Sequence, residues 1–313
     1  MLITPRPGAD RRTIRKVLTD VRFKAMALRG PAAGNAFARL LKYLEWANEA
    51  GALLSSQVSD KDIARLVFTA RYQSLLTSCG TLAGTAQQPL VNGLVDLEVT
   101  ERIQALEEAS EALDRQIERW AGPEAFVVAD SSFYIQNAAP LAEADLHQIL
   151  GIPPTEHIRL LFPIAVVDEL DGLKESGKHR SRWRAAHTLG RLDEVLAGST
   201  FGILHHAKTD GEPTLWRGEV NVDIVLDQPG HVRLPITDDE IIDRIVAIQS
   251  LAARPLRLLT CDTGQHTRGR AAGLKVTKVA TKDPGPEPDW AAQNQPGNGT
   301  RARRRERQAA QEE

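Results

Sequence analysis

The chain of 313 residues carries 39 lysines and arginines against 41 aspartates and glutamates, and 42% of its residues are hydrophobic. At roughly 100 to 200 residues per domain, this length favours two domains. The apolar content excludes a chain that is disordered throughout, and no apolar run approaches the roughly 18 residues needed to cross a bilayer. The two cysteines, Cys79 and Cys261, have no partners at metal-ligand spacing, which disfavours a disulfide framework and a cysteine zinc site.

The first part of the chain is predicted to be helical, because apolar residues recur at three- and four-residue spacing from Ala9 to about Trp120. Four helices are expected, one ending at Gly30-Pro31, one ending at Gly51, one starting after Ser59 and one spanning about 100–120. Residues 1–122 are therefore expected to form an all-α domain, whose role is open among oligomerisation, autoinhibition and substrate choice. The start of the chain has no apolar stretch typical of a secretory signal, which predicts a cytoplasmic protein.

The pattern changes at Gly122-Pro123, where short β-rich apolar runs begin to alternate with helical stretches. Strands are expected at about 126–129, 158–164, 220–226, 256–259 and 274–279, and helices at 165–175, 179–196, 238–253 and 263–272. This alternation predicts an α/β domain at 123–282, with a parallel sheet flanked by helices.

Two segments depart from this alternation. Residues 198–235 contain turn signals and are predicted to form a β-rich excursion. Residues 283–313 are rich in Pro, Gly, Gln, Arg and Glu, and such a composition cannot bury enough apolar area to fold. We therefore expect a disordered basic tail there, whose arginines at 301–307 are candidates for contact with nucleic acid.

Acidic residues occur where a parallel sheet places its active site. Two of them directly follow predicted strands, one lies a helical turn beyond a third strand, and one opens a helix. These residues are Asp130, Asp262, Glu169 and Asp238, respectively. Because the carboxyl ends of parallel strands share one edge of the sheet, we expect the four carboxylates to converge in one cleft.

Four converging carboxylates predict a divalent cation, since like charges repel and hard oxygen ligands suit Mg²⁺ or Mn²⁺. Such an ion lowers the pKa of a bound water and neutralises charge on a phosphodiester, which favours hydrolytic phosphoryl transfer. Each acid also has an ordinary interpretation as a turn residue or part of a charged helix face. Asp238 and Asp239 could simply open a helix that is capped by Thr237 and Glu240.

The motifs around these acids resemble those of PIN-domain nucleases. The matching segments are 127–132, 166–174, 238–242 and 258–262. The resemblance covers about 123–282, and its Glu-Leu-Asp-Gly-Leu-Lys stretch looks like the larger PIN domains beside PhoH-type ATPase modules. It implies a metal-dependent nuclease, which in this family usually cleaves RNA.

The resemblance also implies roles for single residues. Carried over by position, the catalytic and metal-binding acids are Asp130, Glu169, Asp238 and Asp262. Asp239 becomes the ligand in place of Asp238 if the register shifts by one residue. Ser131 matches a supporting hydroxyl after the first acid, and Thr260 matches a threonine before the last. Gly264 stands where some members have a further acid, which leaves one or two metal ions open.

Basic residues follow Glu169 closely in the sequence. If the helix after Gly177 lies beside the acidic cleft, as in the family, these residues could hold a phosphate backbone. The candidates are Lys174, Lys178, Arg180, Arg182 and Arg184. A solvated helix face explains them equally well, and Trp183 among them is expected in the core rather than stacked on a base.

We therefore expect a cytoplasmic, Mg²⁺- or Mn²⁺-dependent PIN-domain ribonuclease that hydrolyses single-stranded RNA. A toxin-type member would need an inhibitory protein partner, and a homo-oligomer is a further candidate assembly. The alternative is a catalytically weak PIN-like module that serves as an RNA-binding or protein-assembly scaffold. Four retained acids favour the enzyme, because a scaffold has no need to keep like charges together.

Overall fold

The structure is a computed structural model that describes residues 3–29, 35–82, 87–175, 179–227 and 231–280. The basic tail expected at 283–313 lies outside the described residues, as does Lys178. Residues 1–279 form one compact unit. Within the described ranges, no helix is long and apolar enough to cross a membrane.

The N-terminal part is all-α, as predicted. Its helices are α1 (Arg11–Met26), α2 (Ala36–Leu54), α3 (Asp60–Leu66), α4 (Ala70–Leu82) and α5 (Gln88–Arg119). Asp10 begins α1 by accepting the backbone N–H groups of Arg12 and Thr13. The long α5 packs against α1 and α2, and the apolar faces of these helices form the core of this part.

Two helix boundaries differ from the prediction. Gly51 lies inside α2 rather than at its end. A Cβ at this position would lie 2.3 Å from the ring of Phe68. Glycine therefore lets the ring reach the helix backbone. The last helix starts at Gln88 rather than near 100, with Pro89 in its first turn, where the missing N–H of proline costs little. Helix α4 was not predicted as a separate element.

The C-terminal part contains a six-stranded, mostly parallel sheet, which confirms the predicted α/β class. The strands are β1 (Ala125–Ala129), β2 (Ile158–Pro163), β3 (Phe201–His205), β4 (Val220–Val225), β5 (Arg257–Thr260) and β6 (Lys275–Lys278). Their order is β3-β4-β2-β1-β5-β6, and only the β3-β4 pair is antiparallel. The β-rich excursion supplies this antiparallel edge strand.

Helices alternate with the strands of the sheet. They are α6 (Ser131–Gln136), α7 (Leu146–Leu150), α8 (Ile164–Glu175), α9 (His179–Leu196), α10 (Thr237–Ala252) and α11 (Thr263–Ala271). β1 leads into α6, β2 into α8 and β5 into α11 with at most two residues between them. The side chains at these junctions are therefore brought together at the carboxyl edge of the sheet.

An ion pair to a buried carboxylate joins the helical part to the sheet. Asp223 on β4 is only 2% exposed and accepts hydrogen bonds from Arg119 at the end of α5 (3.1 Å) and from Arg159 on β2 (2.6 Å). Next to it, Trp120 packs edge-on against Phe126 of β1. Charge and apolar contacts therefore both cross the predicted boundary at residue 122.

We predict that a fragment of residues 123–282 unfolds cooperatively on its own, because the sheet carries its own core. A fragment that starts at Ile117 should be more stable by about 1–3 kcal/mol, since it keeps Trp120 over Phe126 and both arginines on Asp223. Urea unfolding of the two fragments measures the difference. A lack of cooperative unfolding in both would show that the N-terminal helices belong to the same folding unit.

Candidate active site

Asp130 is the best-anchored acid of the predicted set. It follows β1, caps the N-terminus of α6 and is 4% exposed. One carboxylate oxygen accepts the Ser132 hydroxyl (2.7 Å) and the backbone N–H of Phe133 (3.0 Å). The other accepts the Thr260 hydroxyl at the end of β5 (2.6 Å). Three donors therefore fix both oxygens of a buried carboxylate.

The hydroxyls of Thr260 and Ser132 also tie the ends of two neighbouring strands together. Thr260 accepts the backbone N–H of Asp262 (2.9 Å), and Ser132 accepts that of Cys261 (2.9 Å). The segment after β5 is thus held against the start of α6. Ser132 was not among the predicted supporting residues, although it is the second hydroxyl of the Ser-Ser pair that follows the first acid.

Asp262 lies at the same edge of the sheet and is exposed. It caps α11 by accepting the backbone N–H of Gln265 (2.8 Å) with one carboxylate oxygen. Capping is the ordinary role that the sequence also allowed for Asp262 and Asp130. For Asp130, however, capping accounts for only one of the three hydrogen bonds that its carboxylate accepts.

Glu169 lies on α8, half-buried beside the start of α6. Burial raises the pKa of the Glu169 carboxyl, a hydrogen bond from Ser131 opposes this rise, and the charges of Asp238 and Asp130 add to it. The neighbouring Asp168 is instead paired with Arg233. A cavity of about 260 Å³ opens beside Glu169, between the first turns of α8 and α10.

Asp238 lies in the first turn of α10 and pairs with Arg268 of α11. The guanidinium contacts Asp238 at 3.0 Å and Asp239 at 2.9 Å. Burial raises the pKa of the Asp238 carboxyl; Arg268 lowers it, whereas the charges of Asp262 and Asp239 raise it. Arg268 was not predicted as a site residue, because the pairing depends on how two distant helices pack.

The capping box expected for α10 is absent. Ile236 occupies the cap position and provides no side-chain hydrogen bond. Glu240 is buried and instead accepts bonds from the His231 ring (2.8 Å) and the backbone N–H of Leu234 (3.0 Å). The prediction that Thr237 and Glu240 form a capping box is therefore wrong, because Glu240 turns inward to hold the preceding loop.

The charge interactions among these acids centre on Asp238. Burial raises the pKa of Asp130, its three hydrogen-bond donors oppose the rise, and the charge of Asp238 adds to it. Asp238 therefore interacts with Asp130, with Glu169 and with Asp262. The charge of Asp239 is named among the causes that raise the pKa of its neighbour Asp238, so the choice between Asp238 and Asp239 as a ligand stays a prediction.

The chemistry of the donor set fits a hard divalent cation, because all four side chains offer carboxylate oxygens. The acids are not tightly clustered, however. Within the described part of the chain, the ligand atoms of Asp227, His231 and Glu240 form the single group of three or more that lies within 4.8 Å. Arginines already occupy that group, since Arg233 and Arg244 pair with its carboxylates.

The predicted RNA-binding residues have different environments. Lys174 is exposed near Asp171, and Arg180 and Arg182 are exposed on the first turn of α9. Arg184 is 6% exposed and donates to the backbone carbonyls of residues 137 (2.6 Å) and 138 (2.7 Å). Its side chain therefore holds the segment after α6 rather than facing solvent, which corrects the expectation that it contacts RNA.

Trp183 also differs from the prediction. It was expected in the core, but 56% of it is exposed, and its ring stacks on His187 one turn further along α9. The buried residues Ala185, Thr188 and Leu192 share one face of α9, and Trp183 lies on the opposite face, so the helical period alone could have placed it in solvent.

Comparison with known proteins gives one match. Residues 127–280 match the family model described as the PIN domain. No curated protein matches the chain, and no solved structure matches it. The matched residues include the ends of β1, β2 and β5 and all four predicted acids. Residues 127–280 therefore form a PIN domain, and this part of the chain belongs to the PIN-domain family.

Proposed function

We propose that this PIN domain is a metal-dependent ribonuclease that hydrolyses phosphodiester bonds of single-stranded RNA. The family and the fold support a nuclease. The observation that carries the proposal is the buried Asp130 carboxylate, which three donors fix at the edge of the sheet that also carries Glu169, Asp238 and Asp262.

Structural needs alone do not explain this arrangement. Helix caps can be exposed, as Asp262 is, and a cap needs only one acceptor oxygen. Bringing Asp130, Glu169 and Asp238 into mutual repulsion opposes folding, and perturbed acids of this kind are typical of functional sites. The cost is understandable if the acids act together on a charged ligand.

Some residues of the site position the carboxylates, and others affect their ionisation. Thr260 and Ser132 keep the Asp130 oxygens in place, and Ser131 does the same for Glu169. Arg268 favours the ionised form of Asp238. Together, Asp130, Glu169, Asp238 and Asp262 would hold Mg²⁺ or Mn²⁺ through hard oxygen ligands. When bound, such an ion supplies a water of lowered pKa and neutralises charge developing on the phosphodiester.

The exposed cations at the end of α8 and the start of α9 support a polyanionic substrate. Lys174, Arg180 and Arg182 lie on helices that pack against each other, and α8 also carries Glu169. Positive charge beside an acidic cleft attracts a phosphate backbone while the acids reach the scissile bond. We therefore include single-stranded RNA, rather than a small phosphate ester, in the proposal.

We predict that Asp130→Asn lowers RNA cleavage by more than about 100-fold. This loss exceeds the roughly 10- to 100-fold loss that follows when a group supporting a metal ligand is removed, because Asp130 would itself be a ligand. The amide keeps the shape of the side chain but removes a negative charge from the cation site. Cleavage of labelled single-stranded RNA should be measured over a titration of Mn²⁺, with EDTA as a blank. Asp171→Asn is the matched control, because Asp171 is exposed on α8 and should leave cleavage unchanged. Equal cleavage by wild type and Asp130→Asn would favour the scaffold alternative.

We predict that Thr260→Val lowers cleavage by about 10–100-fold, because a group that orients a metal ligand is lost while the volume of the side chain is kept. The Thr260 hydroxyl lowers the pKa of Asp130, so its loss should also move the acidic limb of the pH–rate profile to higher pH. Thr260→Ser should restore both the rate and the profile. A lower rate with an unmoved profile would show that Thr260 has only a packing role.

We predict that Glu169→Gln is more stable than wild type at neutral pH in EDTA. The folded state raises the pKa of Glu169 above its unfolded value, so folding is opposed wherever the carboxyl is ionised. The advantage should shrink as the pH falls through the raised pKa and vanish below the unfolded pKa, where the wild-type carboxyl is protonated in both states.

Urea unfolding across this pH range measures the effect of Glu169→Gln. The exposed Glu175 on the same helix provides the control, and Glu175→Gln should change the stability by less than about 0.5 kcal/mol. A Glu169→Gln protein that is less stable than wild type at neutral pH would contradict the electrostatic account of the cleft.

A further inference from the structure

Trp183 is an exposed aromatic side chain on α9 and does not belong to the hydrophobic core. Tryptophan is highly buried on average, and Trp46 and Trp120 of this chain are almost fully buried. Trp183 is 56% exposed, although its helix buries a well-defined apolar face. Packing therefore does not account for a large aromatic ring at this position.

The ring of Trp183 is held flat by a second ring. His187 lies one turn further along α9, with its ring centroid 5.0 Å from that of the indole and the two planes 27° apart. This offset stack covers one indole face and leaves the other open to a further planar group. Gly190 follows on the same side of the helix, and a Cβ there would meet nothing within 4 Å. The surface beside the stack is thus unobstructed.

The charge around the stack is suited to a polyanion. Of the arginines on α9, Arg180 and Arg182 are exposed, whereas Arg184 is buried and Arg191 pairs with Glu194. Arg180 precedes Trp183 by three residues, so the two share one face of the helix. Within the described part of the chain, no ion pair holds the exposed Arg180. A planar stack beside a cation is the arrangement that binds single-stranded nucleic acids through base stacking and phosphate contacts.

The stack is also linked to the acid cleft. Arg184, next in sequence to Trp183, donates to the backbone carbonyls of residues 137 and 138, just after α6. The other end of α6 begins beside Asp130, and this helix of six residues is about 9 Å long. A strand bound with its phosphate at the acids would therefore need only a few nucleotides to reach Trp183.

We propose that Trp183, stacked on His187 and flanked by Arg180, is a subsite that stacks a base of single-stranded RNA a few nucleotides from the cleaved bond. The inference rests on the proposed function for its substrate, but it concerns binding rather than hydrolysis. The subsite reads the flat face of a base, so it accepts all four bases and selects single strands, whose bases are free to stack.

The test is the affinity of the full chain for two fluorescein-labelled oligomers, measured by fluorescence anisotropy in EDTA. One is a short oligouridine, and the other is an abasic oligomer of the same length and charge. Trp183→Ala should bind the oligouridine about 5- to 100-fold more weakly than wild type, as expected for the loss of one base stack. It should bind the abasic oligomer as wild type does.

Two further variants complete the design. Trp183→Phe keeps a ring and should recover most of the affinity for oligouridine. Trp216→Ala is the matched control, since Trp216 is also exposed but follows a short helical turn after β3, and its loss should leave both affinities unchanged. A loss shared equally by the two oligomers would overturn the proposal and assign this surface to charge alone. An unchanged affinity of Trp183→Ala for oligouridine would also overturn it.

The outcomes separate this inference from the proposed function. If the base-dependent loss appears while no preparation cleaves RNA, the stacking subsite stands and the hydrolytic function fails. If cleavage depends on Asp130 while Trp183→Ala binds oligouridine as wild type does, the hydrolytic function stands and the subsite fails.

Discussion

The site depends on one hydrogen bond between the ends of two neighbouring strands, from the Thr260 hydroxyl to the Asp130 carboxylate. The parallel pairing of β1 with β5 places these residues side by side, and the bond fixes the carboxylate oxygen that the cap of α6 does not use. Ser132 completes the arrangement by accepting a backbone N–H from the segment after β5. The donors favour the ionised form of this buried carboxylate and oppose the rise in its pKa that burial causes.

The other three acids are held less tightly than Asp130, and charge repulsion acts among them. Glu169 has one hydroxyl donor, Asp238 has Arg268, and Asp262 is an exposed cap. The fold thus supplies one rigid carboxylate and three adjustable ones. This division is suitable for a site that must bind a cation and a polyanion in turn, since the outer acids can adjust as the charge between them changes.

Local patterns in the sequence predicted most of the elements of the α/β half. The strands β1, β2, β4 and β5 are short apolar runs and were predictable, as were the positions of Asp130 and Asp262 after two of them. Gly51, in contrast, looked like a helix end, because only the folded structure shows the ring of Phe68 against it. Helix α4 and the first turns of α5 were missed, since the local pattern there is weak and glycine-rich.

Contacts between distant residues account for the rest. Arg268 meets Asp238 across 30 positions, and Arg184 reaches carbonyls after α6, so neither role follows from local spacing. Trp183 is a different case, because it lies opposite the buried face of α9 and the period of that helix could have placed it in solvent. Sequence patterns thus located the acids, while tertiary packing determined which neighbours hold and charge them.

The most direct test of the central claim, that four acids form one cation site, is Mn²⁺ binding measured by electron paramagnetic resonance without substrate. Single amide variants of Asp130, Glu169, Asp238 and Asp262 should each weaken binding, and Asp239→Asn should weaken it less than Asp238→Asn. The group formed by Asp227, His231 and Glu240 is the competing location. Binding that survives all four substitutions but is lost in Asp227→Asn would contradict the account.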